Sequence, residues 1–406
     1  MTSPTERPSL WRDPDYLLLW GGQTVSAAGS QVSGFVLPLL VLTLTGSALQ
    51  AGLVGALQGV PYIVLSLPAG VLTDRWNRKR VMIVCDTLRT LNMASIALAL
   101  AVGRLTLVQL FLVALIEGTL FVFFDIAETA ALSRVVGQEQ LPSAVARQET
   151  TWGLSALIGP PLAGFLYQSI GVALPFLADA VSYAVSALSL TAIRSRFQGE
   201  PSPRTASAIA ELREAAGWLW GQPLLRLVAL ITAAGDFLFS GISLIPLVIA
   251  RQQMHAPPVA IGFIFTLAAV GAILGSAVAG RIRRRLRFST GLISLQWLLA
   301  GLYPLLAIAP TPLALGLVRA GMSATVSVDN TIRLSYQISS IPDPLQGRVN
   351  SLTALAAYGS LPIGQALTGI SLQTLGPTMT ILLVTACLIA LAVVISVSPT
   401  IRNARV

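Results

Sequence analysis

The chain has 406 residues, of which 54% are hydrophobic and 11% charged, against about 25% charged in soluble globular proteins. That composition excludes a single water-soluble core and requires a bilayer as solvent. The net charge of +9 invites a nucleic-acid partner, but the basic residues sit between apolar runs rather than on one surface, so that class is excluded too.

Residues 1–15 are polar and lack the short apolar core of a signal peptide. Apolar runs then centre on 16–44, 49–72, 81–102, 106–131, 145–169, 172–193, 224–249, 260–280, 289–309, 312–335, 350–373 and 377–398. A membrane helix takes roughly 20 apolar residues. Backbone groups in lipid must be satisfied within each segment, so all twelve runs are predicted helices. Pro38, Pro61, Pro68, Pro160, Pro161, Pro246 and Pro362 fall inside them, as such helices tolerate. Cys85 and Cys387 both lie in apolar runs, which indicates no disulfide framework. The single histidine, His255, falls in a predicted outer loop without ligand partners and is read as incidental.

Arginine and lysine set the orientation. With the N-terminus inside, the inner loops hold Arg75, Arg78, Lys79, Arg80, Arg134, Arg281, Arg283, Arg284, Arg285 and Arg348 among others, and the tail residues Arg402 and Arg405. The outer loops hold Arg104 and Arg251. This asymmetry requires an even number of crossings, with both termini on the cytoplasmic side of the cell (inner) membrane. The longest polar stretch, 195–222, begins with the Gly/Pro/Ser-rich residues 199–207 and continues as a predicted amphipathic helix carrying Glu211, Arg213, Glu214 and Trp218. It divides the chain into a first half, 1–194, and a second half, 223–406.

The halves repeat. Gly70 and Gly275 are 205 apart; Asp125 and Asp329, and Leu141/Val145 and Leu345/Val349, are 204 apart. Gly159, Leu162 and Gly164 match Gly364, Leu367 and Gly369 at 205. A near-constant offset over separated features, with six crossings per half, implies parallel repeats related by an axis along the membrane normal. That layout resembles the one of the major facilitator transporters.

The loop GVLTDRWNRKR (70–80) resembles the glycine–Asp-Arg–basic signature of the major facilitator superfamily. Gly70 is expected to allow close helix approach, Asp74 to pair with cations on a neighbouring helix, and Arg75, Arg78 and Lys79 to hold the loop in the inner headgroup layer. The resemblance implies a latch that joins the two halves on the inner side; the plainer reading is a positive-inside anchor. The second copy, GSAVAGRIRRR (275–285), has Gly280 near the acidic position. GPPLAG (159–164), with Gly159, Pro160 and Gly164, resembles the antiporter glycine–proline motif, although small residues also serve helix packing alone.

More narrowly, residues 26–57, 67–89, 141–149, 178–188 and 345–352 resemble the branch of macrolide efflux proteins, the enterobactin exporter and actinobacterial multidrug pumps. The fold implied is an all-α membrane protein with twelve transmembrane helices in two pseudo-symmetric six-helix halves. One departure is Ser30, followed by Gln31, where the branch often has an acid.

Ionisable residues at a helix centre cost roughly 2.5–3.5 kcal/mol and are functional hypotheses unless a partner is present. Asp86 and Arg89, three apart, and Asp329 and Arg333, four apart, are expected intramembrane ion pairs. Arg319 is expected to face an anionic substrate or a carboxylate on another span. Glu117, Asp179 and Asp236 have no partner in local sequence. Glu117 shares a helical stripe with Phe121, Phe124 and Glu128, a face suited to an amphiphilic cation or, alternatively, turned to lipid and a neighbouring helix. Asp236 occupies the repeat position of Ser30. Glu117 and Asp236 are therefore the candidates for proton coupling, and Asp179 is read as structural. The resemblance implies a central cavity, with Gln31, Gln58, Phe121, Phe124, Trp152, Phe239, Arg319 and Tyr358 as candidate lining residues.

There is no phosphate-binding loop and no catalytic or metal-ligating constellation, so neither an ATP-driven pump nor an enzyme is indicated, and no cofactor is expected. The expected function is proton-coupled efflux of amphiphilic small molecules by a monomer in contact with membrane lipid. The alternatives are a lysophospholipid or other lipid-like solute carrier of the same fold, and a non-transporting membrane sensor.

Overall fold

The structure, a computed structural model, describes residues 10–402 apart from 138, 196 and 199–207. The polar stretch 199–207 and Arg405 thus lie outside the described residues. Fifteen α-helices follow one another: α1 (Pro14–Thr45), α2 (Ala48–Arg75), α3 (Arg78–Ala101), α4 (Leu107–Val135), α5 (Leu141–Ser169), α6 (Ala173–Ala192), α7 (Ala208–Trp220), α8 (Pro223–Phe239), α9 (Leu244–Val248), α10 (Pro258–Arg285), α11 (Phe288–Leu302), α12 (Leu305–Ile308), α13 (Pro312–Ser340), α14 (Asp343–Val397) and α15 (Pro399–Arg402). No strand occurs among the described residues.

Local chemistry sets the helix starts. The Asp13 carboxylate accepts from the backbone N–H groups of Asp15 and Tyr16 and opens α1. Asn77, Thr106 and Thr311 cap α3, α4 and α13 in the same way. Among the described residues, nine helices are long and apolar enough to cross a membrane. Two further helices, α5 and α13, have 29 residues each and the necessary length. The 55 residues of α14 would extend roughly 80 Å as one straight helix, against a hydrocarbon core of about 30 Å. The backbone breaks at Gly376, with φ +78°, and Pro377 follows, so α14 is two helical segments in tandem.

The described chain forms two compact units, Met1–Leu37 with Val60–Pro203, and Pro38–Gly59 with Arg204–Val406. The first unit is built on α3, α4 and α6, with the first part of α1 and the second part of α2. Gly22 and Gly29, seven residues apart on α1, let that helix close onto α6: a Cβ at Gly22 would fall on Ser189, and one at Gly29 on Ser182 and Asp179. Asp15 ties the start of α1 to the end of α6, accepting from the backbone N–H of Arg194 at 3.1 Å and of Ser195 at 2.8 Å.

The second unit contains the tip of the α1–α2 hairpin. A Cβ at Gly52 would lie 2.9 Å from the Gln365 carbonyl and 3.0 Å from Gly369 Cα on α14. Ser47 donates to Gln373 at 3.0 Å, and Gln252 donates to the Gly46 carbonyl at 2.8 Å. The amphipathic helix α7 packs on α14 through the Arg348–Glu214 ion pair at 2.8 Å and a small core of Ala215, Leu219, Leu225, Ile341 and Val349.

Helices α10 and α13 are joined by small residues. Gly271 and Gly275 form a small-xxx-small step on α10. Cβ atoms there would fall on the backbone carbonyls of Ala320 and Ala324 on α13. In lipid, where burial against lipid tails gives little drive for helix association, such backbone approach supplies the packing energy.

Candidate functional site

Two sets of intramembrane polar residues stand out, one in each unit. In the first unit Arg89, on α3, is buried at 5% exposure. Its guanidinium meets Glu117 of α4 at 2.6 Å, and its Nε donates to the same carboxylate at 2.7 Å. The Tyr183 hydroxyl of α6 donates to Glu117 at 2.9 Å, and the Tyr183 ring lies 4.1 Å from the guanidinium carbon. Asp86 is more distant from Arg89, at 3.9 Å. Ser30 on α1 completes the chain of contacts, 2.8 Å from the Tyr183 hydroxyl.

Glu117, without a partner in local sequence, bonds neighbouring helices, as one of its two readings expected. Its partners come from α3 and α6, 28 and 66 residues away, beyond the reach of helical spacing. The expected Asp86–Arg89 pair is present at 3.9 Å, and the guanidinium takes Glu117 of α4 as a second, closer partner. Phe121 and Phe124 do share the Glu117 face, with ring centres 6.0 and 5.9 Å from the Arg89 guanidinium carbon, so the cation against that aromatic face is the protein's own. Phe124 is moreover a buried core residue. Asp179, fully buried, accepts from Ser182 at 3.1 Å.

In the second unit a cavity of about 280 Å³ opens between α8, α10, α11 and α13. Asp236, Phe239, Gln296, Arg319, Ser323 and Arg333 are among its lining residues. The crossing that carries Asp236 is irregular next to it: α8 ends at Phe239, a 3-10 turn covers Ser240–Ile242, and α9 is followed by a π-helical turn, Ile249–Gln253. Non-helical backbone at membrane depth is tolerated where it is buried in protein or lines a cavity. Arg333 pairs with Asp329 on its own helix and donates to Thr232 of α8 at 3.0 Å. Arg319 is 7% exposed, and its Nε has no hydrogen-bond partner. The Phe265 ring lies 5.7 Å from its guanidinium carbon, and the Tyr303 side chain is also near. Phe239 packs edge-on against Tyr303, with ring centres 6.0 Å apart.

The other expected lining residues are dispersed. Gln31 packs against Gly159 within the first unit, where a Cβ on the glycine would meet the Gln31 side chain. Gln58 is half-buried in the α1–α2 tip that belongs to the second unit. Trp152 and Tyr358 are exposed. Pro160 and Gly164 are buried along α5.

The basic loop after α2 is tied down within the first unit. Arg78 pairs with Asp74 at 3.2 Å and donates to the carbonyls of Ala130, at 3.4 Å, and Phe197, at 3.3 Å. Lys79 donates to the carbonyls of Ile193 at 2.6 Å and Thr191 at 3.2 Å. Lys79 thereby caps the end of α6, whose last carbonyls have no helical partner, while Arg78 ties the loop to α4 and to the segment after α6. The expectation for Gly70 is corrected: a Cβ there would meet nothing within 4 Å, whereas the close approach occurs at its repeat counterpart, Gly275. Two features were missed from sequence: the small-residue step at Gly271 and Gly275, legible as G-x-x-x-G, and the Tyr183 hydroxyl, which carries no local signal.

Comparison with known proteins matches residues 9–405 to the family described as transmembrane secretion effector. The chain is 26% identical over 412 residues to the multidrug efflux pump Tap of Mycolicibacterium fortuitum, covering 97% of each chain. It is 26% identical over 361 residues to the enterobactin exporter EntS of Salmonella typhimurium, covering 88% of this chain and 85% of that one. Among solved structures, the nucleoside transporter NupG aligns with a TM-score of 0.74 at 13% identity, covering 96% of this chain and 99% of that one. A bacterial homologue of the iron transporter ferroportin in an inward-facing state aligns with a TM-score of 0.73 at 18% identity, covering 96% and 99%. At those identities the structures speak for the fold alone, and the fold is that of the major facilitator transporters. The chain is a multi-pass membrane protein, and it belongs to the transmembrane secretion effector family of the major facilitator superfamily.

Proposed function

We propose that this protein exports amphiphilic small molecules across the cytoplasmic membrane by proton antiport with alternating access. The observation that carries the reading is Asp236, a carboxylate beside a helix break, facing a cavity at membrane depth. A group so placed takes up a proton when exposed to one side and releases it on the other. The names of the relatives, a multidrug pump and a siderophore exporter, support the direction and the size class of cargo. The protein acts as a monomer with twelve crossings, both termini cytoplasmic, and the halves 1–194 and 223–406 move during the alternating-access cycle. Of the two candidate carboxylates, Asp236 is the coupling group. Glu117 is engaged by Arg89 and Tyr183 and serves chiefly to hold α3, α4 and α6 together.

The test is dye transport in proteoliposomes under an imposed pH gradient. Native protein moves a cationic amphiphilic dye in step with the gradient, Asp236→Asn loses that dependence, and Glu117→Gln keeps it at reduced rate. Movement indifferent to the gradient would instead favour a lipid-like solute carrier, and no movement of any probe would favour a sensor.

The loop after α2 is the latch of this cycle. Asp74→Asn removes the partner of Arg78 and leaves the contacts of Arg78 and Lys79 with the α4 and α6 ends. Transport in this variant is expected to slow while dye binding at equilibrium stays at the native level. A native rate would reduce the loop to a membrane anchor.

A further inference from the structure

Arg319 is a buried cation that the protein itself leaves without a counter-charge. It makes no ion pair or hydrogen bond with any described residue, although it is nine-tenths buried. Leaving a guanidinium unpaired at membrane depth is costly, and such residues mark binding sites or partners. The other three charged groups of the same cavity differ from it. Arg333 and Asp329 neutralise each other on α13. Asp236, on the α8 side, makes no close ion pair or hydrogen bond among the described residues and feels the charge of Arg333 only at longer range. The cavity therefore presents one guanidinium and one carboxylate, each without a close partner, on opposite helices, with the Arg333–Asp329 ion pair beside them. Gln296 and Ser323 add neutral polar atoms, and Phe239 and Met322 supply apolar wall. A volume of about 280 Å³ is at the lower end of small-molecule sites.

We propose that this cavity binds an amphoteric small molecule, with the acidic group of the ligand on Arg319 and its basic group on Asp236. Arg319 offers a planar fork of donors that matches a carboxylate in a bidentate pair. Asp236 offers the acceptor for a protonated amine. An amphiphile with only a cation leaves Arg319 uncompensated, and one with only an anion leaves Asp236 so. The cavity thus selects for the presence of both charges on one scaffold. As a statement of cargo the inference rests on the efflux reading; as a statement of binding it does not.

The experiment measures binding without transport. The native protein, in phosphatidylcholine nanodiscs, is titrated with a fluorescent aryl-piperazine carboxylic acid, its methyl ester and its N-acetyl derivative. The native protein is expected to bind the amphoteric parent about tenfold or more tightly than either blocked form. Arg319→Gln abolishes the preference for acid over ester, while Arg319→Lys retains part of it. Asp236→Asn abolishes the preference for free amine over acetyl. Ester binding by Arg319→Gln at or above the native affinity shows that the variant is folded, since the ester no longer faces an uncompensated guanidinium. Equal affinity of the native protein for parent and ester overturns the proposal, whatever the variants do. So does a parent-over-ester preference that survives Arg319→Gln. Discrimination in nanodiscs without gradient-driven dye movement would retain the site and remove the efflux reading; gradient-driven movement without discrimination would do the reverse.

Discussion

Arg89→Gln is expected to destabilise the protein by about 3–5 kcal/mol, read as an earlier unfolding transition in detergent micelles. The guanidinium is the cation at the meeting of α3, α4 and α6, held by two contacts to Glu117 at 2.6 and 2.7 Å and by the Tyr183 ring at 4.1 Å. Its loss leaves Glu117 and Asp86 buried with no cation beside them. The asymmetry of the pair makes this specific. Glu117→Gln leaves Arg89 with Asp86 within reach at 3.9 Å, so that variant is expected to lose less. Arg89→Met combined with Glu117→Leu removes both charges, and it should recover a large part of the loss, because the desolvation of the pair offsets most of its attraction. An Arg89→Gln protein that unfolds at the native temperature would mean that the pair contributes nothing.

Gly271→Leu on α10 is the second large expected effect, a loss of about 1–3 kcal/mol from overpacking, with reduced yield of folded protein. The obstacle is backbone: the first side-chain carbon would land on the carbonyl of Ala320, which cannot swing aside as a flexible side chain does. Separating α10 from α13 also disturbs the Ala324 contact of Gly275 one turn on. Gly280→Leu, on the same helix, is the matched comparison. A Cβ there meets nothing within 4 Å, and the variant should unfold with the native protein. Gly271→Ala should fall between them, and adding Ala320→Gly to it should not restore the native transition, because the clash is with the backbone carbonyl rather than with the alanine methyl. Equal stability of the Gly271 and Gly280 leucine variants would show that the small-residue step is not a packing contact.

Sequence alone determined that this chain lives in a bilayer as helices. Its apolar runs have the length of a bilayer crossing, and a backbone in lipid has no other partners, so hydrophobicity reads directly as helix. The repeat, the basic loops and the branch resemblance were also legible, because each is carried by residues close together in the chain or at a constant offset. The spacing of Asp329 and Arg333 placed them one helical turn apart, and the structure has them paired.

Tertiary structure decided which intramembrane charges are engaged and which are not. For Glu117 two readings stayed open because local spacing reports only neighbours on the same helix; its partners, Arg89 and Tyr183, arrive through the packing of α3 and α6. Gly70 and Gly275 look equivalent in the repeat, yet a second helix lies against the backbone only at Gly275. The cavity that gathers Asp236 and Arg319 is formed by side chains 83 residues apart on α8 and α13. Composition and period fix what each segment is, since they act within one helix. Which charges meet depends on how helices pack, and that is set by small residues and side-chain directions across contacts that no single stretch of sequence contains.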